Sequence, residues 1–113
     1  MASPPTVQEL LARHAKGQAS HEPITAIEER VKAGGQAPKV FVVTCADPRC
    51  IPEKFLHLET WEVVVLRTAG SDVQAALPSI IAIDSLFELD EIMVINHTDC
   101  GALVSSGLTW ENM

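Results

Sequence analysis

Two apolar, β-branched runs, each ending at a residue that can bind a metal, constrain the fold of this chain more than any other feature. The first run, 39–44, leads into Cys45, and the second, 91–96, leads into His97 and then Cys100. Runs of this length and composition predict strands. If both strands lie parallel in one sheet, their last residues meet at one edge of it. Two thiols and an imidazole would then converge there.

The N-terminal stretch, about 5–35, predicts a helical arm. A capping box from Thr6 to Glu9 opens a helix of about ten residues that carries two leucines. A break follows, and a second short helix at 24–32 ends at Gly34 and Gly35.

The remainder, about 38–113, predicts an α/β core in which helices alternate with strands. Besides the two strands above, the expected elements are a helix from Pro52 to Leu58, a strand at 61–66, a turn at 67–71, a helix at 78–89 and a helix from Gly101. This alternation predicts a parallel β-sheet flanked by helices, within one domain spanning 1–113.

Composition narrows the function classes. The net charge of -7 argues against binding to nucleic acid or to anionic membranes. No apolar stretch is long enough to cross a bilayer, and the first residues lack the pattern of a signal peptide. Three cysteines, an odd number, favour free or metal-bound thiols in a reducing compartment over disulfides. We therefore expect a cytoplasmic protein.

The chemistry of the two strand ends favours a zinc site. Cys45, His97 and Cys100 would supply three protein ligands and leave a fourth zinc position for water, as in catalytic sites. A lone buried cysteine is usually a small core residue, and we expect this of Cys50. The joint placement of two thiols and one histidine at strand ends favours the metal interpretation for the other two cysteines.

Asp47 and Arg49 lie in the loop that carries Cys45, so both can face the metal. Asp47 could fill the fourth zinc position and close the site. Alternatively, Arg49 could hold the carboxylate in a bidentate pair, which would leave Asp47 free to accept a hydrogen bond from zinc-bound water. The plainer interpretation is a surface ion pair that contributes little.

Other nearby residues have less defined roles. Asp99 is expected to cap the following helix or to accept a hydrogen bond beside the metal. Gly101 suggests a close backbone approach or an unusual dihedral, and Ala69 with Gly70 would form an open wall of the site. The histidines outside the motifs, any of which could shuttle protons but which are more commonly surface residues, are His14, His21 and His57.

Three segments together resemble the β-class carbonic anhydrases, and the similarity runs from about Lys39 to Leu103. They are Cys45-Ala46-Asp47-Pro48-Arg49, Arg67-Thr68-Ala69-Gly70, which is similar to the family's Arg-Asn-Ala-Gly turn, and His97-Thr98-Asp99-Cys100-Gly101.

The resemblance implies reversible hydration of carbon dioxide to bicarbonate and a proton by a zinc-bound hydroxide. It implies that Cys45, His97 and Cys100 bind zinc and that Asp47 with Arg49 controls access to the metal. It also implies a homodimer or higher oligomer in which the N-terminal helix packs on the partner. Relatives continue beyond the point where this sequence stops, so the usual C-terminal elements are expected to be missing.

Two alternatives to this function stay open. A relative with the same zinc chemistry could hydrolyse another small substrate such as carbon disulfide. A chain in which Asp47 is the permanent fourth ligand would instead be a non-catalytic zinc-binding module.

Overall fold

A three-stranded parallel sheet forms the centre of the computed structural model, which describes residues 3–101. The strands are β1 (Val40–Cys45), β2 (Val64–Thr68) and β3 (Glu91–Val94), in the order β2-β1-β3. Phe41 pairs with Val64 on one side and Ile92 on the other. The predicted α/β class with a parallel sheet is confirmed.

In the described part of the chain, four α-helices flank or precede the sheet. They are α1 (Val7–Gly17), α2 (Ile27–Lys32), α3 (Pro52–Phe55) and α4 (Val73–Phe87), with short 3₁₀ turns at Gln18–Ser20 and Ala69–Ser71. None of the helices in residues 3–101 has the length and apolar character needed to cross a membrane.

The core is centred on β1 because this strand has a neighbour on both sides. Phe41, Val42, Val43 and Thr44 are each at most 1% exposed. Phe41 and Val43 pack against Ala76 and Ile80 of α4, so this helix covers one face of the sheet. By contrast, all four residues of the edge strand β3 are exposed.

The N-terminal arm begins as predicted. The Thr6 side chain accepts from the Glu9 backbone N–H at 3.2 Å, and the Glu9 carboxylate accepts from the Thr6 N–H at 3.1 Å, which completes the capping box of α1. No residue of α1 is buried, and Val7, Leu10 and Leu11 are exposed. The apolar side of this helix therefore has no cover within the described chain.

Several element boundaries differ from the prediction. The strand expected at 61–66 begins at Val64, because Trp61 has a left-handed backbone (φ 70°) and its indole N–H donates to the Thr25 carbonyl. The strand also extends to Thr68, so Arg67 belongs to β2 rather than to the predicted turn. The helix expected from Pro78 begins at Val73, because Asp72 caps its first backbone N–H groups.

Other elements are shorter than predicted. The second helix begins at Ile27 instead of residue 24, and α3 ends at Phe55, before Leu58. The last strand ends at Val94, although the Ile95 N–H still donates to the Val43 carbonyl at 2.9 Å. The helix predicted from Gly101 lies almost wholly outside the described residues.

Candidate metal centre

The carboxyl end of β1 lies where the strand order reverses, with β2 on one side and β3 on the other. Clefts outside the carboxyl ends of parallel strands at such points are the usual ligand sites of open α/β sheets. Cys45 is the last residue of β1, and the loop after β3 carries His97 and Cys100. The fold thus brings the two predicted ligand segments to one edge.

Cys45, His97 and Cys100 form one compact cluster. Their candidate ligand atoms all lie within 4.8 Å of one another, and the two sulfur atoms are 3.6 Å apart. Two thiolates that each bind a tetrahedral zinc at 2.3 Å lie about 3.8 Å apart. The sulfur separation therefore fits a shared zinc ion, and both cysteines are buried.

The histidine is oriented as a metal ligand requires. Its Nδ1 lies 2.8 Å from the Thr98 carbonyl, which can only accept, so Nδ1 carries the proton. Nε2 then keeps its lone pair. That atom is buried and has no hydrogen-bond partner among the described residues. Two thiols and a buried imidazole nitrogen with a free lone pair are the donor types that zinc prefers, so the donor set fits zinc.

Asp47 and Arg49 lie beside this cluster as a close ion pair. Arg49 Nε is 3.1 Å from Asp47 Oδ1, and Arg49 Nη2 is 2.8 Å from Oδ2. The Arg49 backbone N–H also donates to Oδ1 at 2.8 Å. Asp47 Oδ2 lies 3.9 Å from His97 Nε2, so the carboxylate is near the cluster while both its oxygens are held by arginine.

Hydrogen bonds between loops hold this edge together. Arg49 Nη2 donates to the Asp99 carbonyl at 2.9 Å and so joins the loop after β1 to the loop after β3. Ser71, which is buried and has a left-handed backbone (φ 60°), donates through its hydroxyl to the Ile95 carbonyl at 2.7 Å. The three loops at the carboxyl edge are thus tied to one another.

Hydrogen bonding makes Cys45 an unusually acidic thiol. Burial raises the pKa of Cys45, but the backbone N–H of Asp47, the His97 side chain and the backbone N–H of Gly70 lower it, and the net pKa is about 7. The neighbouring Cys45 sulfur and then the hydrogen bond to the Thr98 carbonyl raise the pKa of His97. The site therefore favours the thiolate form of cysteine, which is the form that binds metals.

The neighbouring ion pair keeps Asp47 charged. Hydrogen bonds from the Arg49 side chain and backbone hold the pKa of the Asp47 carboxyl well below its usual range, and the same contact raises the pKa of Arg49. An ionised carboxylate only accepts hydrogen bonds. Asp47 can therefore accept a hydrogen bond from a group at the cluster but cannot donate one.

The remaining candidates lie as follows. Cys50 is buried but is not part of the cluster. Its sulfur lies 2.8 Å from the Thr44 hydroxyl. Gly101 lacks the close approach expected of it among the described residues, and the left-handed backbone occurs instead at Asp99 (φ 52°). His14 and His21 lie in the N-terminal arm, and His57 follows α3.

Sequence patterns gave no role to two groups that organise the site. Asp99 contributes through its backbone carbonyl, which accepts a hydrogen bond from Arg49. A sequence motif specifies side chains and cannot predict the role of a carbonyl. Arg67 donates hydrogen bonds to the backbone carbonyls of Cys45 and Asp47. The sequence signals that included Arg67 were its position near a strand end and its place in the Arg67-Thr68-Ala69-Gly70 segment, and neither gave its side chain a role.

Comparison with known proteins identifies relatives of this chain. A family model described as carbonic anhydrase matches residues 40–111. A carbonic anhydrase of Pseudomonas aeruginosa is 33% identical over 75 residues, which cover 60% of this chain and 34% of that protein. A carbon disulfide hydrolase of Acidianus sp. is 34% identical over 79 residues, covering 69% of this chain and 39% of that protein.

Solved structures show the same fold. The carbonic anhydrase of Streptococcus mutans superposes with a TM-score of 0.64 at 26% identity, covering 92% of this chain and 59% of that one. The Coccomyxa β-carbonic anhydrase superposes with a TM-score of 0.58 at 23% identity, covering 94% of this chain and 50% of that one.

This chain belongs to the β-class carbonic anhydrase family. It spans between about a third and two fifths of the length of the two curated relatives described above.

Proposed function

We propose that this chain binds one zinc ion through Cys45, His97 and Cys100 and catalyses the reversible hydration of carbon dioxide. The observation that carries the proposal is the buried Nε2 of His97, which lies with two thiols in one cluster and has no hydrogen-bond partner within residues 3–101. A zinc ion held there would lower the pKa of a water molecule to about 7 and so supply hydroxide at neutral pH.

The residues around the ligands have distinct tasks in this proposal. The Thr98 carbonyl fixes the tautomer of His97, so that Nε2 faces the cluster with its lone pair. Arg49 holds both oxygens of Asp47 and keeps them off the cluster. The ionised Asp47 then accepts a hydrogen bond from water at the site and turns the oxygen lone pair of that water toward the substrate.

Hydrolysis of carbon disulfide is the second candidate function. The similarity to a carbon disulfide hydrolase supports it, because that relative matches this chain at nearly the same identity as the carbonic anhydrase does. Both substrates are small, linear and neutral. The same ligand set would therefore serve either reaction, and access to the site would select between them.

We also propose that the working form is a homodimer or a higher oligomer in the cytoplasm. Support for association comes from exposed apolar side chains on three elements. These are Val7, Leu10 and Leu11 of α1, Leu77 and Ile81 of α4, and Ile92, Met93 and Val94 of β3. Support for the compartment comes from the buried pair of thiols, which must stay reduced to bind a metal.

The test combines metal analysis with two assays on the same purified protein. Zinc is quantified per chain, carbon dioxide hydration is followed by stopped-flow with a pH indicator, and carbon disulfide consumption is followed by sulfide release. We expect about one zinc per chain and hydration that a chelator abolishes. Zinc without either activity would favour the non-catalytic module with Asp47 as fourth ligand, and the absence of zinc would reject the site.

A further inference from the structure

Arg67 is an arginine of β2 whose side chain reaches across to the loop after β1. Its Nε donates to the Cys45 carbonyl at 3.2 Å, and its Nη2 donates to the Asp47 carbonyl at 2.7 Å. Within the described residues no carboxylate forms an ion pair with it. The guanidinium therefore contacts the backbone of a proposed zinc ligand and the backbone of the proposed water-orienting residue.

The two contacts match the shape of a guanidinium. Nε and Nη2 lie on the same edge of the planar group and point in parallel directions. The carbonyls of Cys45 and Asp47, on either side of the bend at Ala46, each accept from one prong of this fork. A lysine, with one nitrogen on a flexible chain, cannot reproduce both contacts in this geometry.

The segment from Cys45 to Asp47, which Arg67 holds at both ends, contains a proposed zinc ligand and the proposed water-orienting carboxylate. The backbone N–H of Asp47 donates toward the Cys45 sulfur, and the Asp47 side chain accepts from Arg49. Other hydrogen bonds also hold this segment, from the Ala46 N–H to the Thr68 carbonyl at 2.9 Å and from the Cys50 N–H to the Asp47 carbonyl at 3.0 Å. Among residues 3–101, Arg67 alone spans the carbonyls of both Cys45 and Asp47.

We propose that Arg67 is a positioning residue for the metal centre, which fixes the distance between the Cys45 sulfur and the Asp47 carboxylate by clamping their two carbonyls. This inference rests on the proposed zinc site. It does not require a contact between Arg67 and the metal or the substrate. Loss of a group that orients a metal ligand typically lowers metal affinity about tenfold or more.

The chain offers a matched control in Arg30. This arginine also donates to two backbone carbonyls, from Nε to Gln36 at 3.1 Å and from Nη1 to Thr60 at 3.4 Å, but it lies in α2 and contacts no residue of the cluster. Arg30→Lys therefore disrupts a comparable pair of arginine–carbonyl hydrogen bonds at a distance from the proposed metal centre.

The experiment compares the wild-type chain with Arg67→Lys, Arg67→Gln and Arg30→Lys. Zinc affinity is measured by competition with a chromophoric chelator, and cobalt(II) replaces zinc to report the ligand geometry by its visible absorption bands. We expect both Arg67 variants to lose about tenfold in zinc affinity and to show shifted cobalt bands. Arg30→Lys should match wild type in both measurements.

Three outcomes would overturn the inference. The first is wild-type zinc affinity and cobalt bands in Arg67→Lys. The second is an equal loss of affinity in Arg30→Lys. The third is failure of both Arg67 variants to fold without metal while Arg30→Lys folds, which would assign Arg67 to stability alone.

Hydration activity, measured separately, distinguishes this inference from the proposed function. A chain whose zinc affinity depends on Arg67 but which does not hydrate carbon dioxide would reject the function and retain the inference. An active chain with zinc affinity independent of Arg67 would reject only the inference. A wild-type chain without zinc affinity would overturn both.

Discussion

At the scale of single residues, the three cysteines of this chain have different surroundings although all are buried. Cys45 and Cys100 face each other across 3.6 Å beside an unpartnered histidine nitrogen. Cys50 instead contacts the Thr44 hydroxyl. A buried thiol is by itself uninformative, because cysteine is also a small core residue. Only its neighbours separate a proposed ligand from a packing residue.

Replacing either proposed thiolate ligand with serine should remove most of the zinc. Cys45→Ser and Cys100→Ser each leave two protein ligands and a poor oxygen donor, which should lower zinc affinity by at least tenfold. Zinc per chain, measured by atomic absorption after dialysis, checks this. Cys50→Ser is the matched control and should keep its zinc, since a hydroxyl can still bond to Thr44. Full zinc retention in both ligand variants would reject the site.

Removing the arginine of the ion pair should release Asp47 toward the metal. In Arg49→Ala both Asp47 oxygens lose their side-chain partner, and Oδ2 already lies 3.9 Å from His97 Nε2. We expect zinc to stay bound while hydration activity falls at least tenfold. Metal analysis and stopped-flow hydration on the same sample check this. Arg49→Ala also removes the bond to the Asp99 carbonyl, so the crystal structure of the variant decides whether Asp47 has moved onto zinc.

At the scale of elements, α4 connects the site to the core. Its N-terminus follows the turn that contains Gly70 and Ser71, and its inner face packs on β1. Asp72 caps it by accepting from the backbone N–H groups of Gln74 and Ala75. Pro78 lies inside the helix and lacks an N–H, so the ladder loses one hydrogen bond there. The cap and the buried face keep the helix continuous through the proline.

Loss of the α4 cap should lower the stability of the chain. Asp72→Ala leaves two backbone N–H groups without their side-chain acceptor, which should cost about 1 kcal/mol in the free energy of unfolding. Asp72→Asn, which caps a helix about equally well, should stay close to wild type. Urea unfolding followed by circular dichroism measures both. Equal stability of Asp72→Ala and wild type would show that the cap contributes nothing.

At the scale of the whole molecule, the described residues leave apolar side chains exposed on three elements, which are α1, α4 and the edge strand β3. Exposed apolar strand edges and helix faces promote pairing with other chains. The proposed association would cover these apolar surfaces.

We expect association and activity to rise together with protein concentration. Sedimentation velocity across a range of concentrations should show dimers or larger species, and hydration rates per chain on the same samples should fall where the protomer dominates. Ile92→Lys places a charge on the exposed edge of β3 and should weaken association if that edge takes part. A fully active monomer at all concentrations would contradict the expectation.

The sequence by itself determined that three strands form and where they lie to within a few residues, because apolar, β-branched runs favour the pleated backbone of a sheet. It also placed the candidate ligands, since a ligand that directly follows a strand can only lie at its carboxyl edge. The sequence also predicted the capping box of α1, because its hydrogen bonds join residues only three positions apart.

The tertiary structure alone decided what depends on distant partners. The backbone of Trp61 is set by a contact with Thr25, so β2 begins later than its composition suggests. The tautomer of His97 depends on one carbonyl, and the role proposed for Arg67 depends on two carbonyls in another loop. Backbone carbonyls are present at every residue, so no sequence pattern can mark the ones that a fold will use.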